Sequence, residues 1–65
     1  MEKTYSLVGI DGNAFSIMAY VSKAMKENGF SKEDIDNYYS EAMSGNYNNL
    51  LMVSMKIIDE INEMN

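Results

Sequence analysis

The sequence predicts an all-α fold, a compact three-helix bundle preceded by a short extended N-terminal arm. Three observations predict it. Apolar residues recur at helical spacing in three separate stretches. Each stretch is preceded by an Asn, Asp or Ser able to cap a helix. Short glycine-centred breaks separate the stretches, which favours neighbouring helices packed against each other.

The break at residues 26–35, Lys-Glu-Asn-Gly-Phe-Ser-Lys-Glu-Asp-Ile, is the most informative. Gly29 suits the left-handed position just past a helix end, and Phe30 then falls where it can pack back on Met25 in a Schellman ending. The same Phe30 precedes Ser31, a predicted N-cap, with Asp34 three residues on and Ile35 after it. That is a hydrophobic staple around a capping box, with Asp in place of the usual Glu or Gln. One aromatic residue thus ties two helices at their corner.

In chain order, residues 4–10 (Thr-Tyr-Ser-Leu-Val-Gly-Ile) are rich in β-branched and aromatic side chains and read as extended. No second strand candidate follows. Such an arm either lies on the helices or pairs with its copy in a second subunit, making a homodimer. Asp11-Gly12-Asn13 is a turn, with Asp11 or Asn13 as cap. It is not an EF-hand, because Phe15 and Ser22 stand at the fifth and twelfth loop positions. Nor is it a phosphate loop, since no lysine follows the glycines and Asp11 would repel an anion.

The first helix is expected over 13–28, with Ala14, Phe15, Ile17, Met18, Val21 and Met25 inward and Ser16, Tyr20, Lys23 and Glu27 opposite. Tyr20 is an aromatic in a polar row, which is either a scattered exposed side chain or a contact site. The second helix is expected over 32–43, with Ile35, Tyr38, Tyr39, Ala42 and Met43 inward and Glu33, Asp34, Asp36 and Glu41 outward. Two adjacent tyrosines cannot both point into a small core, so one hydroxyl should reach the surface. Gly45 is expected to end this helix and Asn46 to cap the third, over 47–63, whose stripe of Tyr47, Leu50, Leu51, Val53, Ile57, Ile58 and Ile61 marks it as the core helix. Ser54 within that stripe is expected to bond the Leu50 carbonyl or to let another helix approach. Met52 falls on the polar face and Met55 at its edge. Asp59, Glu60 and Glu63 oppose the helix dipole, so the end should fray.

Composition bounds the rest. A chain of 65 residues is one domain, residues 1–12 forming arm and turn and 13–65 the bundle, and it is near the lower size at which one core suffices. The net charge of −5 comes from ten carboxylates against five lysines, with no arginine. Such a surface disfavours direct nucleic-acid binding. Without cysteine there is neither a disulfide framework nor a thiolate metal site. Without histidine the commonest general base and metal ligand are missing. No apolar run approaches a membrane span and the start lacks a signal-peptide pattern, so a cytoplasmic protein with no membrane partner is expected.

Two stretches, Asp11-Gly12-Asn13-Ala14-Phe15 and Glu41-Ala42-Met43-Ser44-Gly45-Asn46-Tyr47-Asn48-Asn49-Leu50-Leu51, resemble a group of short uncharacterised proteins of bacterial genomes and their phages or mobile elements. The resemblance spans residues 7–58. It implies a bacterial or phage-derived cytoplasmic protein and no assigned activity. A weaker resemblance, carried by Gly29-Phe30 and Gly45-Asn46, is to ubiquitin-associated (UBA-like) three-helix domains. It implies a peptide- or ubiquitin-type binding module. Here the first helix is longer than in that family, and Asn28 stands where it has a methionine before Gly-Phe.

The functional expectation is a non-enzymatic protein–protein interaction module that uses no cofactor or metal. Its candidate partner-contact residues are Tyr5, Leu7, Tyr20 and Met52, and its protein partner is unknown. The alternative from another class is an acidic nucleic-acid mimic that inhibits a DNA-binding protein, in which the carboxylates of the second and third helices would form one face. An enzyme would have to work with paired carboxylates or a depressed lysine, and no carboxylate pair falls on an apolar face.

Overall fold

A computed structural model describes residues 4–64. Three helices follow in order, α1 (Ala14–Glu27), α2 (Lys32–Ala42) and α3 (Tyr47–Met64), and each packs against the other two. The all-α three-helix bundle is therefore the fold, with helix bounds within a residue or so of those the sequence predicts. No helix among the described residues is long and apolar enough to cross a membrane.

The corner between α1 and α2 forms as its residues dictate. Gly29 sits at φ +83, the Phe30 N–H donates to the Met25 carbonyl at 3.0 Å and the Gly29 N–H to the Lys26 carbonyl at 3.2 Å. These are the two bonds of a Schellman ending, and they satisfy carbonyls that α1 would otherwise leave open. The capping box is complete: the Asp34 N–H donates to Ser31 Oγ at 3.1 Å and the Ser31 N–H to Asp34 Oδ2 at 3.3 Å. At the start of α1 Asn13 is the cap, accepting from the Phe15 N–H at 2.8 Å, while Asp11 accepts from the Asn13 N–H at 3.1 Å.

The second corner departs from expectation. Gly45 does not take a left-handed conformation, since Gly9 and Gly29 alone have positive φ among the described residues. The end of α2 is closed instead by donors converging on the Glu41 carbonyl: Ser44 Oγ at 2.7 Å and Asn49 Nδ2 at 2.9 Å. Gly45 lets Asn49 approach closely: a Cβ there would lie 3.0 Å from Asn49 Cβ, and Asn49 would have to shift by a few tenths of an ångström to admit it. Asn46 caps α3 as expected, accepting from the Asn49 N–H at 3.0 Å.

The core is built from Ile17, Met18, Val21, Ala24 and Met25 of α1, Tyr38 and Ala42 of α2, Leu50, Ile58 and Ile61 of α3, and Tyr5 of the arm. Three predicted core residues are exposed instead. Phe15 is 76% exposed, Met43 62% and Tyr47 45%, and all three border a hollow where the start of α1 faces the corner between α2 and α3. Ser54 is fully buried and shares a 2.6 Å hydrogen bond with the Tyr38 hydroxyl. Its partner is thus a side chain of α2 and not the Leu50 carbonyl, and the pair leaves neither hydroxyl unsatisfied in the apolar interior.

Residues 4–6 lie on the helices, and residues 7–10 form a turn in which the Ile10 N–H donates to the Leu7 carbonyl at 3.3 Å and Val8 is exposed. No strand is present among the described residues, and the backbone of Tyr5 finds its partners in one side chain. Its N–H donates to Asn62 Oδ1 at 2.8 Å, and its carbonyl accepts from Asn62 Nδ2 at 2.9 Å. The primary amide supplies the donor and acceptor that a neighbouring strand would have offered. The Tyr5 ring is buried against Tyr20, edge to face with centroids 6.2 Å apart. The Tyr5 hydroxyl donates to Glu27 Oε1 at 2.8 Å and accepts from Asn28 Nδ2 at 3.2 Å.

Candidate groove between the first two helices

The corner that stops α1 and starts α2 also opens a groove between them. Its floor is apolar, made by Phe30 of the corner and by Ile35 and Tyr39, which are one turn apart on α2. Its rim carries Lys23 and Lys26 of α1 and Lys32 of α2. The volume is about 550 Å³, against about 340 Å³ for a hollow between the arm and α3.

Helix periodicity explains how the charges gather. Lys23 and Lys26 are separated by three residues and so share one face of α1. Lys26 lies in the last turn, where a cation complements the helix dipole. Lys32 follows Ser31 directly, so the Schellman ending and the capping box that fix the corner bring the second helix's lysine round to the first helix's pair. The floor is held from below. Tyr39 donates its hydroxyl to Ser22 Oγ across the helices at 3.0 Å, and its ring tilts against Tyr38 with centroids 5.7 Å apart. Asp36 is the one carboxylate lining the groove. The three lysines against this aspartate leave a local charge of 3 − 1 = +2 on a chain of net charge −5.

The residues singled out in the sequence are placed elsewhere, and differently from one another. Tyr5 is buried in the core. Tyr20 is half-buried, and its hydroxyl accepts from the Ser6 N–H at 3.0 Å, so this tyrosine of the polar row holds the arm. Leu7 is half-buried beside Val8, Leu51 and Met55 in a shallower hollow between the arm and α3. Met52 is 72% exposed on α3. The structure therefore joins Tyr5 to Tyr20, places Leu7 near them along the arm, and leaves Met52 on the outer side of α3.

Sequence reasoning missed the groove because it weighed the lysines helix by helix. The available signal was the spacing Lys23, Lys26 and Lys32 around a corner already identified. A second surface was also missed: Phe15, Met43 and Tyr47 meet around a hollow where the start of α1 faces the second corner, and the Tyr47 hydroxyl donates to the Gly12 carbonyl.

Three carboxylates gather apart from the groove. Asp34 and Glu41 of α2 and Glu60 of α3 surround a shallow depression on the α2/α3 face. Tyr38 reaches its edge, and burial pushes the Tyr38 phenol above its ordinary value. The Ser54 hydrogen bond partly offsets this, and neighbouring Tyr39 adds to it. No group of three or more metal-ligating side chains occurs among the described residues. No protein-family model, curated protein or solved structure matches the chain.

Proposed function

We propose that this chain is a non-enzymatic protein–protein interaction module that holds its partner in the groove between α1 and α2. The observation that carries the reading is the coincidence of an apolar floor with a charged rim. Three of the five lysines in the sequence, Lys23, Lys26 and Lys32, surround Phe30, Ile35 and Tyr39. A partner seated there would desolvate the floor while its polar groups met the rim, the division of labour found in protein interfaces. The lack of histidine and cysteine in the sequence supports a binding role over a catalytic one. The resemblance of residues 7–58 to short proteins of bacteria and their phages supports an origin there.

The test is capture of partners from a lysate of the cell that encodes the chain, with Lys23→Glu/Lys26→Glu alongside the unaltered protein. Both lysines are exposed, so circular dichroism should show an intact fold. Reversal of two rim charges is expected to lower capture by about tenfold or more. Undiminished capture by the folded variant would overturn the assignment of the groove.

A second reading has its own observation. Asp34, Glu41 and Glu60 share one depression, which supports mimicry of a nucleic-acid backbone by the α2/α3 face. It predicts that Asp34→Lys/Glu60→Lys releases a captured DNA-binding protein while Lys23→Glu/Lys26→Glu does not. Retention of that protein by the lysine-substituted face would remove this reading.

A further inference from the structure

We infer that the groove's occupant is an acidic amphipathic peptide segment, one that places an aliphatic or aromatic anchor on Phe30, Ile35 and Tyr39 and its carboxylates against Lys23, Lys26 and Lys32. This rests on the assignment of the groove as the binding site and adds the chemistry of what it binds.

Charge complementarity decides the sign. The chain as a whole is acidic, but fields are screened over about 8 Å at physiological salt, so a ligand in the groove responds chiefly to the charges that line it. Those are three ammoniums and the Asp36 carboxylate. A basic segment would meet two lysines on the α1 wall and a third beside the lone Asp36 on the α2 wall, and a neutral apolar one would leave the lysines without a role in recognition. Lysine stems can lie over an apolar floor while the groove is empty and swing their heads to carboxylates when it fills, which keeps the empty site hydrated without closing it.

The form of the ligand follows from what the walls offer. No strand edge exists among the described residues to which an extended peptide could add, whereas a groove between two helices accepts the apolar face of a third. Its length of apolar floor, from Phe30 to Ile35 and Tyr39, matches anchors one turn apart. A nucleic-acid strand is disfavoured. The sequence has no arginine to grip phosphate bidentately, and Tyr39, tied to Ser22 and tilted on Tyr38, is not a free stacking platform. A continuous polyanion running past the groove would also bring its charge against the acidic start of α2, Glu33 and Asp34.

The experiment is fluorescence anisotropy with a labelled peptide of about 18 residues carrying Leu at helical spacing and Glu elsewhere. Its comparators are the same peptide with Lys for every Glu and a single-stranded oligodeoxynucleotide of equal charge. The acidic peptide is expected to bind saturably, to weaken as salt rises, and to lose about tenfold in affinity with either Lys26→Glu or Lys23→Glu. The second variant, in the middle of α1, keeps the test decisive should Lys26→Glu loosen the helix end. The basic peptide is expected to gain on the variants what the acidic one loses. Equal binding of both peptides, absence of binding, or preference for the oligonucleotide would overturn the inference. So would a doubled solution mass, lost in the variants, which would put a second copy in the groove. If the variants abolish lysate capture while the acidic peptide fails to bind, the groove stands as the site and only the ligand class falls. If capture is also unchanged, both fall.

Discussion

Replacement of Asn62 by alanine is the sharpest probe of how the arm is held. Asn62 makes two bonds to one residue, accepting from the Tyr5 N–H at 2.8 Å and donating to the Tyr5 carbonyl at 2.9 Å. A net hydrogen bond contributes about 1 kcal/mol, and a buried polar group left without a partner costs about 1–3 kcal/mol. The site is part-buried, so water can recover some of the loss, and the expected cost of Asn62→Ala is about 1.5 kcal/mol. In a domain this small about 1 kcal/mol moves Tm by roughly 4–8 °C, which predicts a fall of about 6–12 °C by circular dichroism. Asn62→Asp distinguishes the two bonds. A carboxylate still accepts from the Tyr5 N–H but sets negative oxygen against the Tyr5 carbonyl, so it should also destabilise despite its equal size. Hydrogen exchange at the Tyr5 amide should rise in the alanine variant more than exchange in the centre of α3. A Tm change under about 2 °C with unaltered Tyr5 exchange would refute the claim that this amide secures the arm.

The buried Tyr38–Ser54 pair gives a pH prediction. Because the folded-state value of Tyr38 is raised above the ordinary tyrosine value of about 10, its contribution to stability is fully present below pH 10. It is lost as pH rises through the folded value, since the unfolded chain then releases the proton first; Tyr38→Phe should flatten the alkaline loss of stability measured by urea unfolding. Gly29→Ala forces a Cβ into a left-handed conformation at φ +83 and should cost about 1 kcal/mol, read from the same urea midpoints. Removal of residues 1–10 takes Tyr5 out of the core and should lower Tm by more than Asn62→Ala does. Light scattering on the same pair tests the subunit-pairing alternative: unchanged mass follows from the Asn62 latch, and a dimer that dissociates on truncation would assign the arm to an intersubunit strand.

Which parts of the fold were legible depended on whether their causes were local. Gly29, Phe30, Ser31 and Asp34 act within a few residues of one another, so the Schellman ending and capping box follow from the order of residue types. Asn46 was legible for the same reason. Asn62 was not, because its partner is Tyr5 at the far end of the chain and nothing near Asn62 marks it. Ser54 was recognised as a small polar residue in an apolar stripe, yet its partner, Tyr38, depends on the packing of α2 on α3. Phe15, Met43 and Tyr47 fit the helical period but border an open hollow where helix ends meet, a matter of helix length and crossing that periodicity does not encode.

The groove lies between these cases. Its corner is local and its lysine spacing is in the sequence, but that Lys32 joins Lys23 and Lys26 around one floor follows only when α2 folds back on α1. A similar step separates the two faces of α2. Lys32, Ile35, Asp36 and Tyr39 line the groove beside α1, while Asp34 and Glu41 line the depression beside α3, so a helix that looks merely acidic in sequence sends its one lysine to one neighbour and two of its carboxylates to the other.

The most direct test of the groove as the binding surface is site-specific photo-crosslinking in the cell that encodes the protein. A benzophenone amino acid would replace Lys26 on the groove rim, Glu60 on the acidic face or Met52 on the outer side of α3, one at a time. Covalent adducts of one discrete partner from position 26, with little from positions 52 and 60, are the predicted result. Adducts from position 52 or 60 and none from position 26 would contradict the account.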